Sequence, residues 1–151
     1  MNDPTTRRIV EFLTGIGIEV RRGEVAEIPF LPGTEIRRGA LVYNEEKLLY
    51  PGDLLHEAGH LAVTPAAERS ELDANLGADG GLEMGAIAWS YAAALEIGID
   101  PAVVFHPHGY KGGSESLLEN FKAGRPIGVP ILQWAGLTDD QYPRMLRWLR
   151  E

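Results

Sequence analysis

Cysteine is absent from the whole 151-residue chain. Disulfides and thiolate ligands are both excluded, so any metal must be held by imidazole and carboxylate. The same absence sits easily with a reducing, cytoplasmic address. Long apolar runs are missing as well. The most apolar stretch, residues 84–99, contains Glu96 and falls short of the roughly 20 residues that a bilayer span needs. The opening residues, Met1 to Arg8, are polar and no long apolar segment follows, so neither a secretory signal nor a membrane span is expected. Positive charge is scarce: 14 Lys and Arg stand against 22 Asp and Glu, for a formal net charge of -8. That excess repels a phosphate backbone, and nucleic acid is not expected as a partner. Three arginines, Arg144, Arg147 and Arg150, crowd together late in the chain. A solvated helix end is the plain explanation, and a surface for an acidic partner the other.

What is present has the balance of a folded domain, with 44% hydrophobic and 24% charged residues. The length suits one domain, and no repeat, low-complexity tract or long linker divides it. Residues 4–15 read as a helix, with Ile9, Val10, Phe12 and Leu13 at helical spacing and Gly15-Ile16-Gly17 ending it. Short β-prone runs follow. Ile18-Glu19-Val20 is one, Leu31-Pro32-Gly33 is a turn, and Thr34–Arg37 with Ala40–Tyr43 form a hairpin around Arg38-Gly39. A small antiparallel sheet is expected from these. Pro51 and Asp53 then suit the first turn of a second helix, which Thr64-Pro65 stops. An irregular stretch over 66–81 leads to a long helix rich in small residues, 82–97, closed by Gly98. Further helices are expected at 102–105, at 114–121 with Ser116 and Glu119 as a capping pair, and at 142–149. The order is α+β, strands in front and helices behind.

The second helix carries His56-Glu57-Ala58-Gly59-His60. Histidines four apart share one face of a helix, about 6 Å from each other along the axis. Both can then reach one ion at about 2.0–2.1 Å. Glu57 projects beside the pair, placed to take a proton from water that the metal has made acidic. Gly59 is informative because glycine inside a helix costs about 1 kcal/mol against alanine; accepting it there implies a second backbone packed close. Two ordinary surface histidines are the plain alternative for the motif.

A catalytic zinc normally has three protein ligands and water in the fourth position. Asp73, Asp79, Glu83, Glu96, His106 and His108 are available as the third. Glu83 is favoured, 23 residues beyond His60 at the start of the long helix, a separation that lets that helix lie back against the motif. Gly85, Ala86 and Ala88 would admit close packing. The helix dipole alone also favours a carboxylate at Glu83, while Glu96, near the C-terminal end, belongs on the surface.

These residues resemble the gluzincin branch of zincin metallopeptidases, and Glu83-Met84-Gly85-Ala86-Ile87-Ala88 is faintly similar to the glutamate helix of ImmA/IrrE-like peptidases. The shortness of the chain is similar to that of compact bacterial zincin-like proteins. The resemblance covers roughly residues 50–98. It implies zinc held by His56, His60 and Glu83, with Glu57 as general base. There is a departure: many gluzincins carry an aspartate four residues after the third ligand, where this chain has Ile87. Asp79 or Asp73 would have to replace it in orienting a histidine. The metzincin pattern is excluded, because Leu61 to Ala66 contains neither its glycine nor a third histidine. Zincins also commonly add a histidine or tyrosine that donates to the developing oxyanion, and His108 and Tyr110 are candidates for that role, or loop residues packed by their rings. Trp89, Tyr91, Trp134 and Trp148 fall at helical positions and read as core or interface.

A zinc-dependent hydrolase, most simply a metallopeptidase acting on a peptide or protein, is the first expectation. A non-catalytic zincin-like module that binds metal or protein partners is the alternative. An amidase would use the same residues, and the donor set suits zinc but also fits iron or nickel.

Overall fold

The computed structural model describes residues 3–25, 33–72, 80–107 and 113–151. Helix α1 (Pro4–Ile16) starts where Asp3 accepts a hydrogen bond from the Thr6 amide, with Pro4 in the first turn. It ends at Gly17, whose φ of 104° suits glycine. Ile9 and Leu13, four apart, put its apolar face into the core.

Strands β1 (Val20–Arg22), β2 (Thr34–Arg37) and β3 (Ala40–Tyr43) form one sheet in the order β1-β3-β2. The expected hairpin forms between β2 and β3, in register from Thr34 opposite Tyr43 to Arg37 opposite Ala40. Its two-residue loop needs positive φ at both positions, and Arg38 and Gly39 have 48° and 77°. The sheet is mixed, however, not wholly antiparallel: β1 lies parallel to β3 and begins two residues later than the sequence implies. Residues on all of β3 are buried, as befits a central strand covered on both faces.

Two helices make the core. Helix α2 (Asp53–Val63) carries the histidine motif, and α4 (Gly80–Ile97) crosses it. From Gly85 to Ala94 every residue of α4 is buried, the mark of a helix wrapped on all sides. Alanine and glycine make such wrapping possible. Gly85 leaves room for Ile131, whose methyl would lie 2.7 Å from an added Cβ, and Gly128 lies over the Met84 carbonyl. Through these two contacts α6 (Val129–Trp134), a helix not foreseen from the sequence, seats on the first half of α4. The short α3 (Ala66–Arg69), a 3-10 turn at Pro101–Val103 in place of the expected helix over 102–105, and α5 (Ser114–Lys122) complete the described elements. Ser116 lies within α5, which is capped at Gly113, so the Ser116–Glu119 capping pair does not form.

The terminal helix expected over 142–149 is also absent. Residues 138–151 run instead as a strap across the helices, opened by a bridge between Thr138 and Met145. Its backbone finds distant partners in place of helical ones. Leu146 donates to the Leu137 carbonyl, Arg150 donates to the Ala62 carbonyl, and the Trp148 carbonyl accepts from the Trp89 indole. Trp148 meets Phe12 and Trp89 edge-on, at 5.1 and 5.6 Å between ring centroids. Trp89 is fully buried and Trp134 is largely exposed at 69%, so only the former is core. The chain is thus α+β, as read from its sequence. Among the described residues no helix is long and apolar enough to cross a membrane.

Candidate metal centre

Helical spacing brings His56 and His60 side by side, their ring centroids 5.2 Å apart. Position Gly59, between them and the core, decides what faces them. A Cβ there would lie 2.6 Å from the Ala86 carbonyl oxygen, so α2 and α4 meet backbone to backbone. One turn before Ala86 on α4 is Glu83, and the close approach carries its carboxylate onto the histidine pair. Glu83 Oε2 lies 2.8 Å from His60 Nε2, and Oε1 lies 3.4 Å from His56 Nε2. The fold thus brings Glu83, the acid favoured from sequence, within hydrogen-bonding reach of the histidine pair. Of the small residues beside it, Ala86 is the one against Gly59, whereas Gly85 and Ala88 face α6. Glu57 is 5% exposed, and its carboxylate lies with the two imidazoles in a group whose donor atoms are all within 4.8 Å of one another.

Burial and neighbouring charge set the protonation of these groups. Burial, with the charge of His60 beside it, pulls the His56 imidazole down to about 4 and keeps it neutral. Burial opposes charge on His60 too, but the hydrogen bond and charge of Glu83, with Glu57, outweigh it and leave His60 raised. Glu83 is lowered, first by the hydrogen bond from His60. The Glu57 carboxyl is pushed up to about 7, chiefly by burial.

The donor set fits a zinc ion. Bonds of about 2.0–2.1 Å in a tetrahedron imply about 3.4 Å between ligand atoms; His56 Nε2 and Glu83 Oε1 have that separation, while the 2.8 Å hydrogen bond between His60 Nε2 and Glu83 Oε2 would open to admit the ion. Two imidazoles and one carboxylate, drawn from two helices, are a normal catalytic set and leave a position for water.

The C-terminal carbonyls of α2 are closed off by cations. Arg69 donates to the carbonyls of Leu61 and Thr64 at 3.0 and 3.1 Å, and to that of Arg150. Arg150 donates to the Val63 carbonyl at 3.0 Å. The three late arginines thus do not share one helix end: Arg150 caps the motif helix, Arg144 pairs with Asp139, and Arg147 with Glu151.

Other candidates fall elsewhere. Glu96 is exposed near the end of α4, as expected. His106 pairs with Asp53, Nε2 to Oδ1 at 2.8 Å. His108, Tyr110, Asp73 and Asp79 lie outside the described residues. Sequence reasoning missed the Asp53–His106 pair. Asp53 had a usable signal, three residues before His56 and four before Glu57 on the same helix face; nothing local marked His106 as its partner. No family model, curated protein or solved structure matches the chain, so the reading of this site rests on its own residues.

Proposed function

We propose that the chain is a zinc-dependent hydrolase of the zincin type, most simply a cytoplasmic metallopeptidase. The observation that carries this reading is the meeting of Glu83 with both motif histidines across two helices, beside a buried Glu57. Bound zinc supplies Lewis acidity to a carbonyl and makes water a better nucleophile. His56 and His60 would hold the ion, and Glu83 would add a carboxylate oxygen with its charge. Glu57 accepts a proton from water as the water oxygen bonds to the carbonyl carbon. The same carboxyl returns that proton to the departing nitrogen as the carbon–nitrogen bond breaks. Burial favours the protonated form of this carboxyl, which helps it keep the proton between the two transfers.

Protein purified without chelator is expected to contain zinc by elemental analysis and to cleave members of a peptide library. Glu57→Gln keeps the zinc and loses hydrolysis by about 10²-fold or more, while His60→Ala loses the metal. Equal turnover in Glu57→Gln rejects the mechanism, and full zinc in His60→Ala rejects the ligand set. Zinc without hydrolysis in the parent protein leaves the metal-binding module as the reading.

A further inference from the structure

Beyond the three ligands and the base, the motif helix carries a fourth ionisable group that the mechanism does not use. Asp53 opens α2 and is 4% exposed. Its Oδ1 meets His106 Nε2 at 2.8 Å, while Oδ2 has no hydrogen-bond partner among the described residues. The pair is firmly held. The Tyr50 ring stacks on His106, 3.9 Å between centroids and 15° from parallel, and Ser114 donates to the His106 carbonyl at 2.6 Å. At Gly52 the absence of a Cβ admits the Val103 carbonyl, which binds the 3-10 turn before His106 to the start of α2.

A buried carboxylate with one oxygen unpaired is costly unless a positive charge stands near it. Such a place lies one helical turn on. Asp53 is three residues before His56 and four before Glu57, the spacing of neighbours on one helix face. Glu83 brings a single negative charge to a dication, and Glu57 loses its own whenever it holds the proton.

We propose that Asp53, aimed by His106, is a positioning residue that supplies the compensating negative charge for the cation at His56, His60 and Glu83. This rests on the metal site proposed above.

The test compares the parent chain with Asp53→Asn, an isosteric neutral replacement, by zinc competition against a chromophoric chelator and by thermal melting with and without zinc. Asp53→Asn is expected to bind zinc about tenfold more weakly or worse, with a metal-free melting midpoint equal to or above the parent's. His106→Gln, which keeps the charge of Asp53 and a donor facing it, is expected to stay within about threefold of the parent. Zinc affinity of Asp53→Asn within threefold of the parent overturns the proposal. So does a metal-free midpoint that falls together with the affinity, since Asp53 would then only be holding the helix. An equal loss in His106→Gln overturns it as well. Asp53→Ser repeats the comparison if the amide variant does not fold. A parent chain that binds no zinc rejects the metal site itself, a result distinct from all of these.

Discussion

Glu57 is held where its charge is least welcome, and that has a thermodynamic signature independent of any substrate. Burial raises its carboxyl from an ordinary 4.5 to about 7. Between those values the folded chain holds a proton that the unfolded chain releases, so metal-free stability falls as pH rises through this window. Glu57→Gln cannot titrate and escapes the loss. Relative to the parent, the metal-free variant is expected to gain on the order of 3 kcal/mol between about pH 4.5 and pH 7.5. Urea denaturation with chelator at several pH values measures this, and a gap that stays constant with pH would reject it. Asp53, raised to about 6 by burial, shifts stability in the same sense over a lower window. At this scale the sequence was legible where the chemistry is local. His56, Glu57 and His60 lie within five residues, and helical geometry alone aligns them. The pairing of Asp53 with His106 spans 53 positions and has no pattern to betray it.

Between elements, the decisive contact is the one at Gly59. Its added Cβ would meet the Ala86 carbonyl, the backbone of α4 itself, whereas at Gly85 the obstacle is the branch methyl and Cβ of Ile131 on α6. The two helix glycines therefore separate in effect. Gly59→Ala forces α2 from α4 and is expected to destabilise by about 1–3 kcal/mol despite the better helix former. It also weakens zinc binding, because Glu83 moves with α4. Gly85→Ala presses on α6 instead and is expected to destabilise by about 1–3 kcal/mol as well, but to leave zinc affinity within about threefold of the parent. Denaturation curves and zinc competition on both variants decide it, and equal effects on zinc affinity would show that the α2–α4 approach is not limiting. The unexpected glycine in the motif announced this contact from sequence, as positive-φ loop residues announced the hairpin. The parallel pairing of β1 and the seating of α6 were not readable, since each is set by a partner distant in sequence, β3 for the one and α4 for the other.

Across the whole molecule, the strap of residues 138–151 shows why a sound periodic pattern misled. Met145, Leu146, Trp148 and Leu149 have helical spacing, yet Leu146 is 57% exposed while Trp148 packs on Trp89 and Phe12. No single apolar face is buried, and the backbone is satisfied by Leu137, Ala62 and the Trp89 indole rather than by its own next turn. Tertiary partners outweighed propensity. The consequence is that three arginines alike in sequence differ in worth. Arg150 bonds the Val63 carbonyl at the end of the motif helix and lies 4.5 Å over the Trp134 ring. The Arg147 guanidinium pairs with Glu151, and both side chains are exposed. Arg150→Ala is expected to lower stability by about 1–2 kcal/mol, having removed a cation from the carbonyl end of α2. Arg147→Ala, which breaks an exposed pair, is expected to change it by less than about 0.5 kcal/mol. For a chain of this length the first loss lowers the melting midpoint by roughly 3–6 °C. Equal midpoints for the two variants would mean that the strap contributes its apolar contacts alone, and that the motif helix ends as well in water as against Arg150.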